Sequence, residues 1–118
     1  MTSVVLAYKG KNLDDVANEL ERYHPKVRRF MATSHGEALS HIYNQRPVVV
    51  FIDQNIENGL EICKEIKTKP DLDIHTIYFV SSRGKINPEN PYVNQWRIRG
   101  ASPRSIVQSI DHILSRII

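Results

Sequence analysis

The sequence predicts an α/β domain: an open, five-stranded parallel sheet covered by helices on both faces. Two observations carry this. Five short apolar runs alternate with stretches of helical spacing along the 118 residues, with no internal repeat and no low-complexity segment. The central runs are apolar without a break, as expected of strands covered on both sides.

The elements justify themselves in turn. Residues 3–8, SVVLAY, are short, β-branched and followed by Gly10, and read as the first strand. Residues 12–23 put Leu13, Val16, Ala17 and Leu20 on one helical face, with Asn12 as N-cap and Asp14 and Asp15 set against the helix dipole. Pro25 stops that helix. Residues 26–31, KVRRFM, alternate enough for a second strand nearer an edge. SHGE, residues 34–37, has the spacing of a capping box and opens a helix through Ala38, Leu39, Ile42 and Tyr43. Residues 48–52 form the third strand after Pro47, and the run ends on an acid, Asp53. A helix over 57–67 then turns Leu60, Ile62, Cys63 and Ile66 inward. Residues 76–82, TIYFVSS, read as the fourth strand, and 96–99, WRIR, as a short fifth. Between them, residues 83–95 hold Gly84, Pro88 and Pro91 and no helical face, so they read as mostly loop. Ser102 as N-cap and Pro103 at the first helical position open the last helix. Its buried stripe is Ile106, Ile110, Ile113 and Ile117.

Composition narrows the function classes. With 41% hydrophobic and 25% charged residues the chain reads as one globular domain spanning residues 1–118. No apolar run approaches the ~20 residues of a membrane span. The N-terminus has no basic region leading into a long apolar stretch, and Cys63 stands alone, so the expected setting is the cytoplasm. Sixteen basic against 13 acidic residues give a net charge of +3, scattered except at Arg28–Arg29, which argues against nucleic acid as the main partner. The five histidines have no metal-ligand spacing, no GxxxxGK loop is present, and no nucleophile–base–acid set is visible. A non-enzymatic role is expected.

In open parallel sheets, ligand chemistry gathers beyond the carboxyl ends of the strands. That makes Tyr8, Lys9, Asp53, Ser81 and Arg99 the residues to inspect. VVVFIDQNIENGLEICKEIK, TIYFVSSRG and QWRIRGASPRSIVQSI resemble three segments of the receiver domain of bacterial two-component response regulators. The likeness spans nearly the whole chain. It implies a flavodoxin-like receiver fold with the fourth helix shortened or lost. It also implies that Asp53 takes the phosphoacceptor position, Ser81 the hydroxyl that follows phosphorylation, and Trp96 the aromatic reporter. A histidine kinase, or an output domain or protein, is the implied partner, and a homodimer is a further form that receivers take. The ending at SRII fits a stand-alone receiver or the receiver part of a longer regulator or kinase.

The departures are informative. Receivers close their first strand with acids that hold Mg²⁺; here the stretch is LAYKG, with Tyr8 and Lys9. Arg99 stands for the usual lysine and Gly100 for the proline after it, and the loop following Asp53 is shorter than usual. Mg²⁺ favours near-octahedral oxygen ligands, and this sequence offers it only Asp53 and the Asn55 carbonyl. Lys9 as counter-ion to Asp53 competes with the metal, since opposite charges ~4 Å apart attract by ~4 kcal/mol at an effective dielectric of about 20. The expectation is therefore a degenerate Mg²⁺ site, no required cofactor, and signalling by protein–protein contact. Phosphorylation of Asp53 with Arg99 in the lysine's role is the alternative. A small-ligand-binding flavodoxin-like domain is the second, weakened by the missing phosphate loop.

Overall fold

The computed structural model describes residues 2–8, 13–53, 55–80, 90–98 and 103–117, without the side chains of 13, 78–80, 95–98, 103 and 117. Five strands and four helices follow in the order β1 Ser3–Ala7, α1 Leu13–Tyr23, β2 Arg28–Ala32, α2 His35–Gln45, β3 Val49–Asp53, α3 Gly59–Lys67, β4 His75–Val80, β5 Gln95–Ile98 and α4 Pro103–Ile117. All strands are parallel in the spatial order β2-β1-β3-β4-β5, the doubly wound arrangement whose reversal point lies between β1 and β3.

Strand alternation divides the core in two. Val4, Leu6, Val49 and Phe51 face α1 and α4, meeting Val16, Leu20, Ile106, Ile110 and Leu114. Val5, Ala7, Val50 and Ile52 face α2 and α3, meeting Ala38, Ile42, Ile62, Cys63 and Ile66. Both sides of β1 and β3 are thus covered, which is why those strands are apolar throughout and buried at every position. β2 is an edge strand, exposed at Arg28 and Met31.

Local chemistry sets the boundaries. The Ser34 side chain caps α2 by accepting from the Glu37 N–H at 3.3 Å, and Glu37 Oε1 accepts the Thr33 N–H at 2.7 Å. The expected caps at Asn12 and Ser102 lie outside the described residues. α3 begins at Gly59 rather than two residues earlier, because Asn58 sits at φ 56°, a left-handed conformation that no helical residue adopts. Its buried face is then Gly59, Ile62, Cys63 and Ile66, the i, i+3, i+4, i+7 stripe. Leu60, expected to point inward, lies about 100° from that stripe and is 40% exposed. In α4, Ile106, Ile110 and Ile113 are buried as expected and are joined by Val107 and Leu114. The shortened or lost fourth helix falls mainly on residues 81–89, outside those described; residues 90–94 form a turn.

Two tests of stability follow. Arg46 caps α2 at φ 46°, and its guanidinium meets Asp71 at 3.3 Å with both side chains about two-thirds exposed. A non-glycine residue there costs ~1–2 kcal/mol, and so exposed a pair returns little of it. Arg46→Gly is expected to raise the unfolding free energy in urea by about 0.5–1 kcal/mol. His75, whose Nε2 is buried without a hydrogen-bond partner among the described residues, lines a groove of about 330 Å³ with Val48, Asp73, Ile113 and Arg116. Burial, then the charges of Lys67 and Arg116, hold its pKa below the ordinary 6.5. The unfolded chain therefore binds this proton first, and the neutral ring's contribution, complete above about pH 6.5, fades as pH falls through the window below it. Urea unfolding at pH 7.5 and 5.5 is expected to show a smaller loss of stability in His75→Gln than in wild type.

Candidate functional site

Asp53 ends β3 and is the only charged residue in β1 or β3. It is 4% exposed. Strand alternation sets its side chain on the face that Val49 and Phe51 share with α1 and α4. Its Oδ1 accepts the Asn55 N–H at 3.1 Å, and its carbonyl accepts the Ile56 N–H at 3.0 Å. The first bond is an Asx turn, which bends the chain directly off the strand. Ile56, buried within the α2–α3 core, pins the loop, and its carbonyl accepts the Gly59 N–H at 3.2 Å. Asn58 then makes the left-handed turn into α3. The carboxylate is held by the loop it starts, and the loop is held by one apolar anchor.

The β1–β3 register brings Tyr8 beside this acid. Ala7 pairs with Ile52, so one step further puts Tyr8 level with Asp53, on neighbouring strands about 4.8 Å apart. On its other side Tyr8 continues the β1–β2 ladder, its N–H donating to the Ala32 carbonyl at 3.1 Å. Alternation sends Tyr8 to the α1–α4 side with Leu6, where it is 8% exposed. Its ring stacks on Phe51 with centroids 5.9 Å apart and planes 19° apart. At the position where a carboxylate could adjoin Asp53, the chain has extended its apolar core by one aromatic residue.

Of the residues singled out in the sequence, the structure brings together Asp53 and Asn55, with Tyr8 alongside. Trp96 lies on β5, level with Tyr78, and its side chain is outside the description. Lys9, Ser81 and Arg99 lie outside the described residues. Among those described, no three histidine, cysteine, aspartate or glutamate side chains form a group able to hold a metal ion. No helix among them is long and apolar enough to cross a membrane. Cys63 is wholly buried, and burial pushes its thiol up to about 12, which makes it a packing residue.

No protein-family model and no curated protein matches the sequence. Solved structures do. The signal receiver domain of a DNA-binding response regulator (merR) from Colwellia psychrerythraea 34H superposes with a TM-score of 0.79 at 18% identity, covering 98% of this chain and 99% of that one. This chain has the fold of a response-regulator receiver domain. A CheY-like receiver domain protein from Methanospirillum hungatei JF-1 gives a TM-score of 0.76 at 19% identity, over 98% of this chain and 95% of that one. The receiver domain of a signal transduction histidine kinase from Syntrophus aciditrophicus gives 0.75 at 13% identity, over 99% and 92%. The receiver fold thus accounts for nearly all of this chain, at identities where architecture outlasts sequence.

Sequence reasoning marked Tyr8 only as a missing acid. The signal for its actual role was present in the alternation of Val4, Leu6 and Tyr8, which continues the core face to the strand's end. Ile56→Ala, which removes the loop's anchor, is expected to cost about 2–5 kcal/mol in chemical denaturation. The same substitution should broaden or shift the Asn55 amide resonance, which reports the turn at Asp53.

Proposed function

We propose that this chain is a receiver-like signalling module of a two-component phosphorelay, non-catalytic, acting by protein–protein contact with a histidine kinase or an output protein. We further propose that its Asp53 site works without Mg²⁺. The observation that carries this reading is the Tyr8 ring stacked on Phe51 beside Asp53. Mg²⁺ demands oxygen ligands in near-octahedral array and dehydrates reluctantly, so one carboxylate with a buried aromatic neighbour is a poor donor set. The next residue in sequence is Lys9 and not an acid, so the end of the first strand supplies no further anionic ligand. Support for the signalling role comes from the receiver fold over the whole chain and from its neighbours, among them a DNA-binding response regulator and a histidine kinase. In this reading the partner meets the surface around β5, where the sequence departs most from the receiver pattern.

A second reading has Asp53 as a phosphoacceptor, favoured by its place at the carboxyl end of β3 beside the point where strand order reverses. Phosphoryl transfer depends on positioning and on neutralising the phosphoryl oxygens; Lys9 and Arg99 are the cations that would do so, with Ser81 as the hydroxyl. Intact-mass measurement after incubation with acetyl phosphate, with and without Mg²⁺, separates the two. The leading reading expects no Mg²⁺-dependent gain in mass. A one-phosphoryl gain in either arm that vanishes in Asp53→Asn would establish the second reading, and a gain that also needs Mg²⁺ would sink the claim that the site works without the ion. Tyr8→Asp should restore a second carboxylate, raising Mg²⁺ affinity by about tenfold or more in an amide-resonance titration while lowering stability by about 3 kcal/mol.

A further inference from the structure

β4 presents alternate residues to its two neighbours. The His75 N–H donates to the Val48 carbonyl on the β3 side at 3.0 Å, so Thr76 turns its backbone groups toward β5. Its carbonyl accepts the Asn94 N–H at 3.1 Å, which is an ordinary rung. The Thr76 N–H, however, finds no backbone carbonyl of the neighbouring strand. It donates instead to the Asn94 side chain, Oδ1, at 2.8 Å. The Thr76 hydroxyl takes the carbonyl that was left over: Oγ1 lies 2.9 Å from the Tyr92 carbonyl oxygen, and 3.1 Å from Asn94 Oδ1. The Asn94 N–H also reaches Thr76 Oγ1 at 3.2 Å. Two side chains thus extend the β4–β5 ladder by one rung beyond the backbone's own pairing.

The chain entering β5 is held as well. The Tyr92 N–H donates to Asn90 Oδ1 at 2.9 Å, an Asx turn with Pro91 at its corner. Val93 is buried in the α2–α3 core, with Tyr92 partly buried against it. Thr76 is itself wholly buried while Asn94 is exposed, so these bonds are part-buried, and losing them leaves the Thr76 N–H and hydroxyl unsatisfied on the inner side. Thr76 pairs with Val50, three positions before Asp53, which is about 10 Å along the sheet.

We propose that Thr76 and Asn94 form a latch that fixes the start of β5, the strand on which Trp96 lies, in one register whatever the state of Asp53. The inference rests on the signalling reading only in taking β5 as part of the partner's surface. The latch itself is a property of the free chain. Amide hydrogen exchange on the whole protein tests it. Thr76→Val and Asn94→Ala are expected to speed exchange across residues 95–98 by about tenfold, with β1 and β3 changing less than about threefold. Thr76→Ser, which keeps the hydroxyl, and Asn94→Asp, which keeps the acceptor, should hold the wild-type rates. Asp53→Asn should leave β5 unchanged. The latch is overturned by unaltered β5 exchange in both removing variants, by acceleration spread evenly over all strands, or by Asp53→Asn loosening β5 as much as they do. No partner enters the measurement, so a failed latch leaves the signalling role standing, and an absent partner leaves the latch standing.

Discussion

Burial of β1 and β3 on both faces is the constraint from which the rest follows. Ten consecutive-strand positions contain one charge, Asp53, and that charge stands where β3 leaves the sheet. Elsewhere in those strands an ionised group would lose its hydration with nothing to replace it. At the carboxyl end the loop's own amides supply that replacement, here the Asn55 N–H. The same geometry that makes the sheet stable therefore collects its polar chemistry at one end, beside the crossover point between β1 and β3.

Within that end, Tyr8 decides the character of the site. An aromatic side chain buries about 150–250 Å². At about 25 cal/mol per Å² that amounts to roughly 4–6 kcal/mol as an upper figure. A carboxylate at the same place would forgo this burial and add repulsion against Asp53, a loss that a bound divalent ion offsets. Stability without the ion and affinity for the ion thus pull Tyr8 in opposite directions, and in the proposed reading this sequence lies on the side of stability.

The fold was legible because its signals are redundant. Apolar runs at β1 and β3, the Ser34–Glu37 cap and the isoleucine stripe of α4 each state the same architecture locally. Boundaries were less so where one backbone angle decided them: Asn58 in the left-handed region moved the start of α3, and with it the exposure of Leu60. Asp53 was legible as an acid ending an apolar strand, whereas its Asx turn depends on a three-residue geometry that many sequences share. The Thr76–Asn94 pairing was not legible at all. Eighteen residues separate the partners, and a threonine facing an asparagine has no periodicity to betray it.

Both ends of the sheet bear on switching. A receiver that switches needs two packings close in free energy, and to shift their ratio from 1:99 to 99:1 takes a differential of about 5.5 kcal/mol. In the proposed reading, neither packing term favours that bistability. At the carboxyl end, Tyr8 commits the space beside Asp53 to the core. At the amino end of β5, the side-chain bonds to buried Thr76 raise the free energy of any shifted register by leaving that residue unsatisfied. A modification at Asp53 would have to overcome both, and without a metal to gather the charge it has less to do so with. In that reading the arrangement favours a surface of one fixed shape, recognised for what it presents and regulated by whether its partner is there.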